Sequence, residues 1–111
     1  MGRLTRILLF VILAGSMGTL AFAAGNVEQG KTLFNDPKLG GSTNQLSCNT
    51  CHPGGQGLVG VTEKKEFKTP VGTSNSLKTA VNQCVTQALK GKALKPNGEK
   101  MADLIAYLGS L

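Results

Sequence analysis

Apolar positions follow two kinds of pattern along this chain. The first is an unbroken block, Ile7-Leu8-Leu9-Phe10-Val11-Ile12-Leu13. The second is periodic. Val27, Gly30 and Phe34 share one face of a short helix, with Leu33 at its edge. Asn26 is placed to cap that helix, Gln29 three residues later completes a capping box, and Asn35-Asp36-Pro37 ends it. Leu77, Val81, Cys84, Val85, Ala88 and Leu89 recur at helical spacing, with the hydroxyls of Ser74 and Ser76 as candidate caps and Gly91 as a natural stop. Met101, Leu104, Ile105, Leu108 and Leu111 form the stripe of a last helix starting near Glu99. The segments between are polar. Lys38 to Ser47 is rich in Gly, Ser, Thr and Asn, Glu63-Lys64-Lys65-Glu66 reads as a solvated charged patch, and Pro70 to Ser76 and Lys92 to Gly98 read as connectors. No stretch alternates convincingly as a strand would, and no repeat is visible. The pattern predicts an all-α domain of three or more helices joined by long loops.

The block at Ile7–Leu13 stands apart from that domain. Arg3 and Arg6 precede it, and small residues extend beyond it as far as Ala21-Phe22-Ala23, an A-x-A cleavage pattern. This is the order of a secretory signal. The apolar run is shorter than the about 20 residues that span a bilayer, and Gly, Ser and Thr interrupt the second half of the leader. Cleavage after Ala23 is therefore expected in preference to an uncleaved membrane anchor. Residues 1–23 read as a signal peptide and 24–111 as one domain, soluble outside the cytoplasmic membrane. The short style of the signal points to the bacterial periplasm.

Both arginines lie in the leader, so the basic residues beyond it are all lysine, set against only 6 acids. A modest lysine excess suits transient docking to redox partner proteins with acidic surfaces. Nucleic acid is not an expected partner, because there is no arginine cluster and few aromatic side chains for base stacking. A domain this small, with no tryptophan, one tyrosine and 15 glycines diluting its apolar content, is hard to stabilise by its own core. A large apolar cofactor at the centre would resolve that difficulty.

The chemistry is concentrated in Ser47-Cys48-Asn49-Thr50-Cys51-His52-Pro53-Gly54-Gly55. Cys48, Cys51 and His52 match the attachment pattern of c-type haem. Cysteines three residues apart lie on one side of a helical turn, where their sulfurs can form thioethers with two vinyl groups on one porphyrin edge. The adjacent histidine is then carried to the iron as proximal ligand. The glycines after it let backbone pass close to a flat ligand. The alternatives fit less well. A redox dithiol belongs in a βαβ context that is not visible here. Zinc wants four ligands, yet only Cys84 is left and the chain has 1 histidine. A Cys48–Cys51 disulfide would close a very tight loop and leave His52 unexplained.

On these residues the chain resembles the monohaem class I cytochromes c, over most of 24–111. Gly30 and Phe34 resemble the glycine and aromatic positions of that family's N-terminal helix. Met101 to Leu108 resembles its C-terminal helix, with Tyr107 in the aromatic place. The resemblance implies a small cytochrome c-like fold with crossing terminal helices around one covalent haem c. The stretch from Gly30 to Cys48 also resembles, locally, dihaem cytochrome c peroxidases, but one haem motif cannot make a dihaem enzyme. Two departures stand out. Where the family often has Gly-Pro, with a carbonyl that fixes the proximal histidine, this chain has Gly60-Val61, leaving a carbonyl between Leu58 and Val61 as the candidate. Where the family places Met-Pro before the last helix, this chain reads Ala93-Leu94-Lys95-Pro96.

The sixth iron ligand is therefore open between two residues. Met101 offers a thioether, although its place on the apolar stripe also suits a packed core side chain. Cys84 is unpaired once Cys48 and Cys51 carry haem, and a free cysteine on an apolar helical face is also common in cores. The segment from Asn82 to Lys92 resembles thiosulfate dehydrogenases and related haem proteins, in which a cysteine at the matching place ligates iron. Lys95, water or an open position complete the possibilities. The leading expectation is an electron-transfer protein carrying one electron on haem c, not an enzyme. Lys64, Lys65, Lys90, Lys92 and Lys95 are candidates for steering acidic partners. The alternatives are a haem-thiolate enzyme or enzyme subunit in inorganic sulfur oxidation, suggested by Cys84, and a haem-based ligand sensor.

Overall fold

The computed structural model describes residues 25–111. The leader expected over 1–23 lies outside the described residues.

The first helix, α1 (Val27–Phe34), starts where its cap predicts. Asn26 Oδ1 accepts from the Gln29 N–H at 2.9 Å. The other half of the expected capping box is made by a different residue. The Asn26 N–H donates not to Gln29 but to Oδ1 of Asp103, at 2.7 Å, on the last helix. That helix, α4 (Glu99–Gly109), buries Met101, Leu104 and Leu108 of its predicted stripe, together with Asp103 and Tyr107, while Ile105 and Leu111 are only partly buried.

α1 and α4 pack directly on one another. Gly30 is what permits their approach, since a methyl group there would overlap the Asp103 carbonyl oxygen and come within 2.7 Å of Tyr107 Cβ. One turn along, Phe34 lays its ring on Tyr107, with centroids 5.1 Å apart and planes inclined at 58°, a favourable tilted aromatic pair. The expected partnership of terminal helices through Gly30, Phe34 and Tyr107 is present. Phe34, Met101, Leu104 and Val85 are the largest fully buried side chains of a single core that also takes in Leu39, Val61, Phe67, Leu89 and Leu94.

Between the terminal helices lie a one-turn helix, α2 (Cys48–Cys51), several single 3-10 turns, and α3 (Leu77–Gln83). Ser76 caps α3 by accepting from the Thr79 N–H at 3.2 Å. Ser74 instead bonds Ser76 through both its backbone groups.

Three departures from the sequence reading have physical reasons. A small antiparallel hairpin, β1 (Phe67–Thr69) with β2 (Gly72–Ser74), occupies part of the expected connector, so the domain is helix-rich but not all-α. Phe67 is buried, which anchors the hairpin to the core. The helix expected over Leu77–Leu89 does not keep one pitch. From Cys84 to Ala88 it widens into a π turn, in which the Leu89 N–H reaches the Cys84 carbonyl oxygen at 3.1 Å. Its stop is also one residue early. Lys90 takes the left-handed conformation, with φ 57°, while Gly91 is needed for its size. A Cβ on Gly91 would lie 2.9 Å from the Leu39 carbonyl oxygen.

Candidate cofactor site

α2 holds the two motif cysteines on one turn, as their spacing requires. The turn begins at Ser47, whose N–H donates to the Thr50 hydroxyl at 3.0 Å. It ends where the His52 N–H reaches the Cys48 carbonyl oxygen at 2.9 Å. Beyond it, Asn49 Oδ1 accepts from the Gly54 N–H at 2.9 Å, so the chain folds straight back along the turn after His52. Cys48 is half-buried against the core, and Cys51 is exposed.

His52 Nδ1 lies 2.9 Å from the Gln56 carbonyl oxygen. With Nδ1–H donated there, the tautomer is fixed and the unprotonated Nε2 is free to ligate iron. This is the usual way an outer partner orients a metal-bound imidazole and raises its basicity. The carbonyl was expected between Leu58 and Val61. The Leu58 carbonyl instead accepts from Val61 N–H at 3.0 Å in a turn. The tight fold-back through Pro53-Gly54-Gly55 brings Gln56 into place, four residues after His52.

Cys84 opens a π turn whose end is bonded to the loop leading into Cys48. It is half-buried at the junction of α3 and the π turn. Burial, and after it the Cys51 thiol, pushes its pKa above the ordinary thiol value. Burial raises Cys48 to about 11, and Cys84 is the next contributor. The three thiols are thus within electrostatic reach of one another, although 33 positions separate Cys51 from Cys84 in the sequence. Next to Cys84, Gln83 Oε1 is buried with no hydrogen-bond partner among the described residues, an orphaned acceptor beside the candidate ligand. Met101 is placed differently. It is 0% exposed, inside the core with Phe34, Val85 and Leu104, which matches the packed reading of its stripe.

The remaining alternatives find less support in the geometry. Among the described residues, no group of three or more His, Cys, Asp or Glu side chains is arranged to hold a free metal ion. The only strands described form an antiparallel hairpin, not the βαβ unit of a thioredoxin-like dithiol. Lys64, Lys65, Lys90, Lys92 and Lys95 are all exposed at the surface.

Sequence reasoning missed part of the site's frame. The loop before α2 is not simply solvated. Leu39, Ser42 and Ser47 are buried within it, and Ser42 and Asn44 bond the carbonyl oxygens of Leu89 and Ala88 at the end of the π turn. The only signal in the sequence was the isolated apolar Leu39 in a polar stretch.

A family model described as SoxA/TsdA, cytochrome c domain, matches residues 29–111. No curated protein and no solved structure matches the chain at a significant level. A cytochrome c domain carries covalently bound c-type haem, and the residues present fit that group. Two thiols share one helical turn, an imidazole has one nitrogen committed and one free, and half-buried Leu46, Leu58, Leu77, Val81 and Ile105 flank the core as apolar walls.

Proposed function

The chain belongs to the SoxA/TsdA cytochrome c domain family, and from that premise we propose that it is an exported, periplasmic electron-transfer protein serving inorganic sulfur oxidation. When bound, haem c supplies a one-electron couple. Cys48 and Cys51 hold it covalently, which prevents its loss from a domain too small to enclose it. His52 is the proximal ligand, oriented by the Gln56 carbonyl. Cys84 is the distal ligand. What supports this assignment is that Cys84 opens a π turn whose end is bonded to the loop leading into Cys48, while Met101 is enclosed in the apolar core. A thiolate pushes electron density onto iron and favours the ferric state, so the potential should be low; a methionine partner would raise it. The surface lysines meet acidic redox partners.

The test is the ferric spectrum of the wild type beside Cys84→Ser and Met101→Leu. Cys84 ligation predicts that Cys84→Ser alone changes it. A near-infrared charge-transfer band of Met-ligated ferric haem, lost in the Met101 variant, would overturn the assignment.

A second reading, catalysis on an inorganic sulfur compound, is favoured by the incomplete burial of Cys84. Thiosulfate-dependent reduction of the haem by the isolated protein, abolished in Cys84→Ser, would support it. Reduction only through an added partner protein supports the carrier.

A further inference from the structure

The end of the Cys84 helix is fastened to the loop that leads into the haem motif, and one amide touches both. Asn44 Nδ2 donates to the Ala88 carbonyl oxygen at 2.9 Å. Its Oδ1 accepts from the Leu46 N–H at 3.2 Å and from the Ser42 hydroxyl at 2.9 Å. Ser42 in turn shares its proton with the Leu89 carbonyl oxygen. Ala88 and Leu89 close the π turn that Cys84 opens, and Leu46 lies two residues ahead of Cys48. The two segments also touch through backbone. The Lys92 N–H donates to the Gly40 carbonyl oxygen at 2.7 Å. A Cβ on Gly40 would come within 2.8 Å of Val85 Cγ1.

A π turn has one residue more than an α turn, so its last carbonyl groups fall out of register with the helical ladder and need outside partners. Here those partners are side chains from the loop preceding α2. We infer that Asn44 is a positioning residue that sets the place of Cys84 relative to Cys48 and Cys51, and so governs how firmly Cys84 holds the distal side of the iron. It touches neither haem nor iron and acts through Cys84. The inference rests on distal ligation by Cys84 as proposed above.

The test uses the haem-loaded ferric protein and imidazole as a probe that must displace Cys84 to bind. The readout is the apparent Kd for imidazole, with the ferric spectrum recorded beside it. Asn44→Asp keeps the acceptor for Leu46 and Ser42 and loses the donor to Ala88. Asn44→Ala loses both sides. Each is expected to tighten imidazole binding about tenfold, the worth of one hydrogen bond. Asn26→Ala removes the α1 cap and is a control for general destabilisation, expected to lower Tm and leave the Kd unchanged. If Asn44→Ala does not fold, Asn44→Asp carries the test alone. A wild-type Kd in the Asn44 variants, with Cys84→Ser clearly altered, overturns the inference alone. Identical ferric spectra and Kd in wild type and Cys84→Ser overturn distal ligation by Cys84, and the inference with it.

Discussion

His52 Nδ1 and the Gln56 carbonyl oxygen meet at 2.9 Å, so the imidazole is oriented by main chain four residues away and not by a side chain. Replacement of Gln56 by alanine retains that carbonyl and is expected to leave both the ferric spectrum and Tm close to wild type. His52→Ala removes the ligand while Cys48 and Cys51 still attach the haem, and the spectrum is expected to change throughout the visible region. A Gln56→Ala spectrum resembling that of His52→Ala would show that the side chain does the orienting.

Cys84 ligation makes the reduction potential depend on pH. Burial, then Cys51, raises the pKa of the free thiol, so the unligated side chain keeps its proton at neutral pH. As a ligand to ferric iron, Cys84 would have to give up that proton, and would regain it where reduction weakens its hold. Uptake of a proton on reduction means that the potential falls as pH rises, for as long as pH stays below the pKa of the free thiol. The slope should approach about 59 mV per pH unit, the value for one proton per electron. Potentiometric titration between neutral and mildly acidic pH should show it in the wild type and a nearly flat line in Cys84→Ser.

Met101 contributes to packing. Met101→Leu preserves volume and is expected to cost less than about 1.5 kcal/mol, with the potential unchanged. Met101→Ala leaves a cavity at a fully buried site and is expected to cost about 2–5 kcal/mol. Chemical denaturation measures both. A large shift in potential for Met101→Leu at unchanged stability would point to ligation instead.

Gly30→Ala should destabilise the protein even though alanine is the better helix former. The propensity gain is at most about 1 kcal/mol. The added methyl group meets the Asp103 carbonyl oxygen and Tyr107 Cβ, both held by α4, and overpacking costs about 1–3 kcal/mol. Thermal unfolding of the haem-loaded protein should show a lower Tm. An unchanged or higher value would mean that α1 and α4 separate without loss.

Steering by lysine predicts a salt effect on partner association. The screening length shrinks from about 10 Å at 0.1 M to about 3 Å at 1 M salt. Electron-transfer rates with an acidic partner should fall over that range, and more weakly in a Lys90→Gln, Lys92→Gln, Lys95→Gln triple variant. Equal salt slopes for variant and wild type would remove these residues from the docking surface.

What the sequence could reveal depended on whether a feature belongs to side chains in a regular pattern. The α1 and α4 faces, the Asn26 cap and the Cys48–His52 turn were all readable because spacing alone determines which side chains meet. The hairpin was not, because Phe67-Lys68-Thr69 and Gly72-Thr73-Ser74 are too short to display a period of two. The π turn escaped because Leu77, Val81, Cys84 and Ala88 fit α spacing equally well, and the extra residue shows only in the Leu89–Cys84 bond. The Gln56 carbonyl could not be singled out, since every residue offers one. Asn44 looked like any loop asparagine until its partners at Leu46 and Ala88 were seen.

The Asn26–Asp103 bond joins positions 77 apart in the sequence, and this bears on the order in which the molecule assembles. Contacts of such separation form late, because closing a long loop costs entropy before any contact rewards it. The Cys48–His52 turn is held by local bonds, from Ser47–Thr50 to His52–Gln56, and does not wait for the chain ends. A newly made chain would therefore present its two thiols on a local turn while α4 is still undocked. Haem attachment would then be complete before the termini shut, and the pairing of α1 with α4 would act as the final latch on a chain already carrying its cofactor.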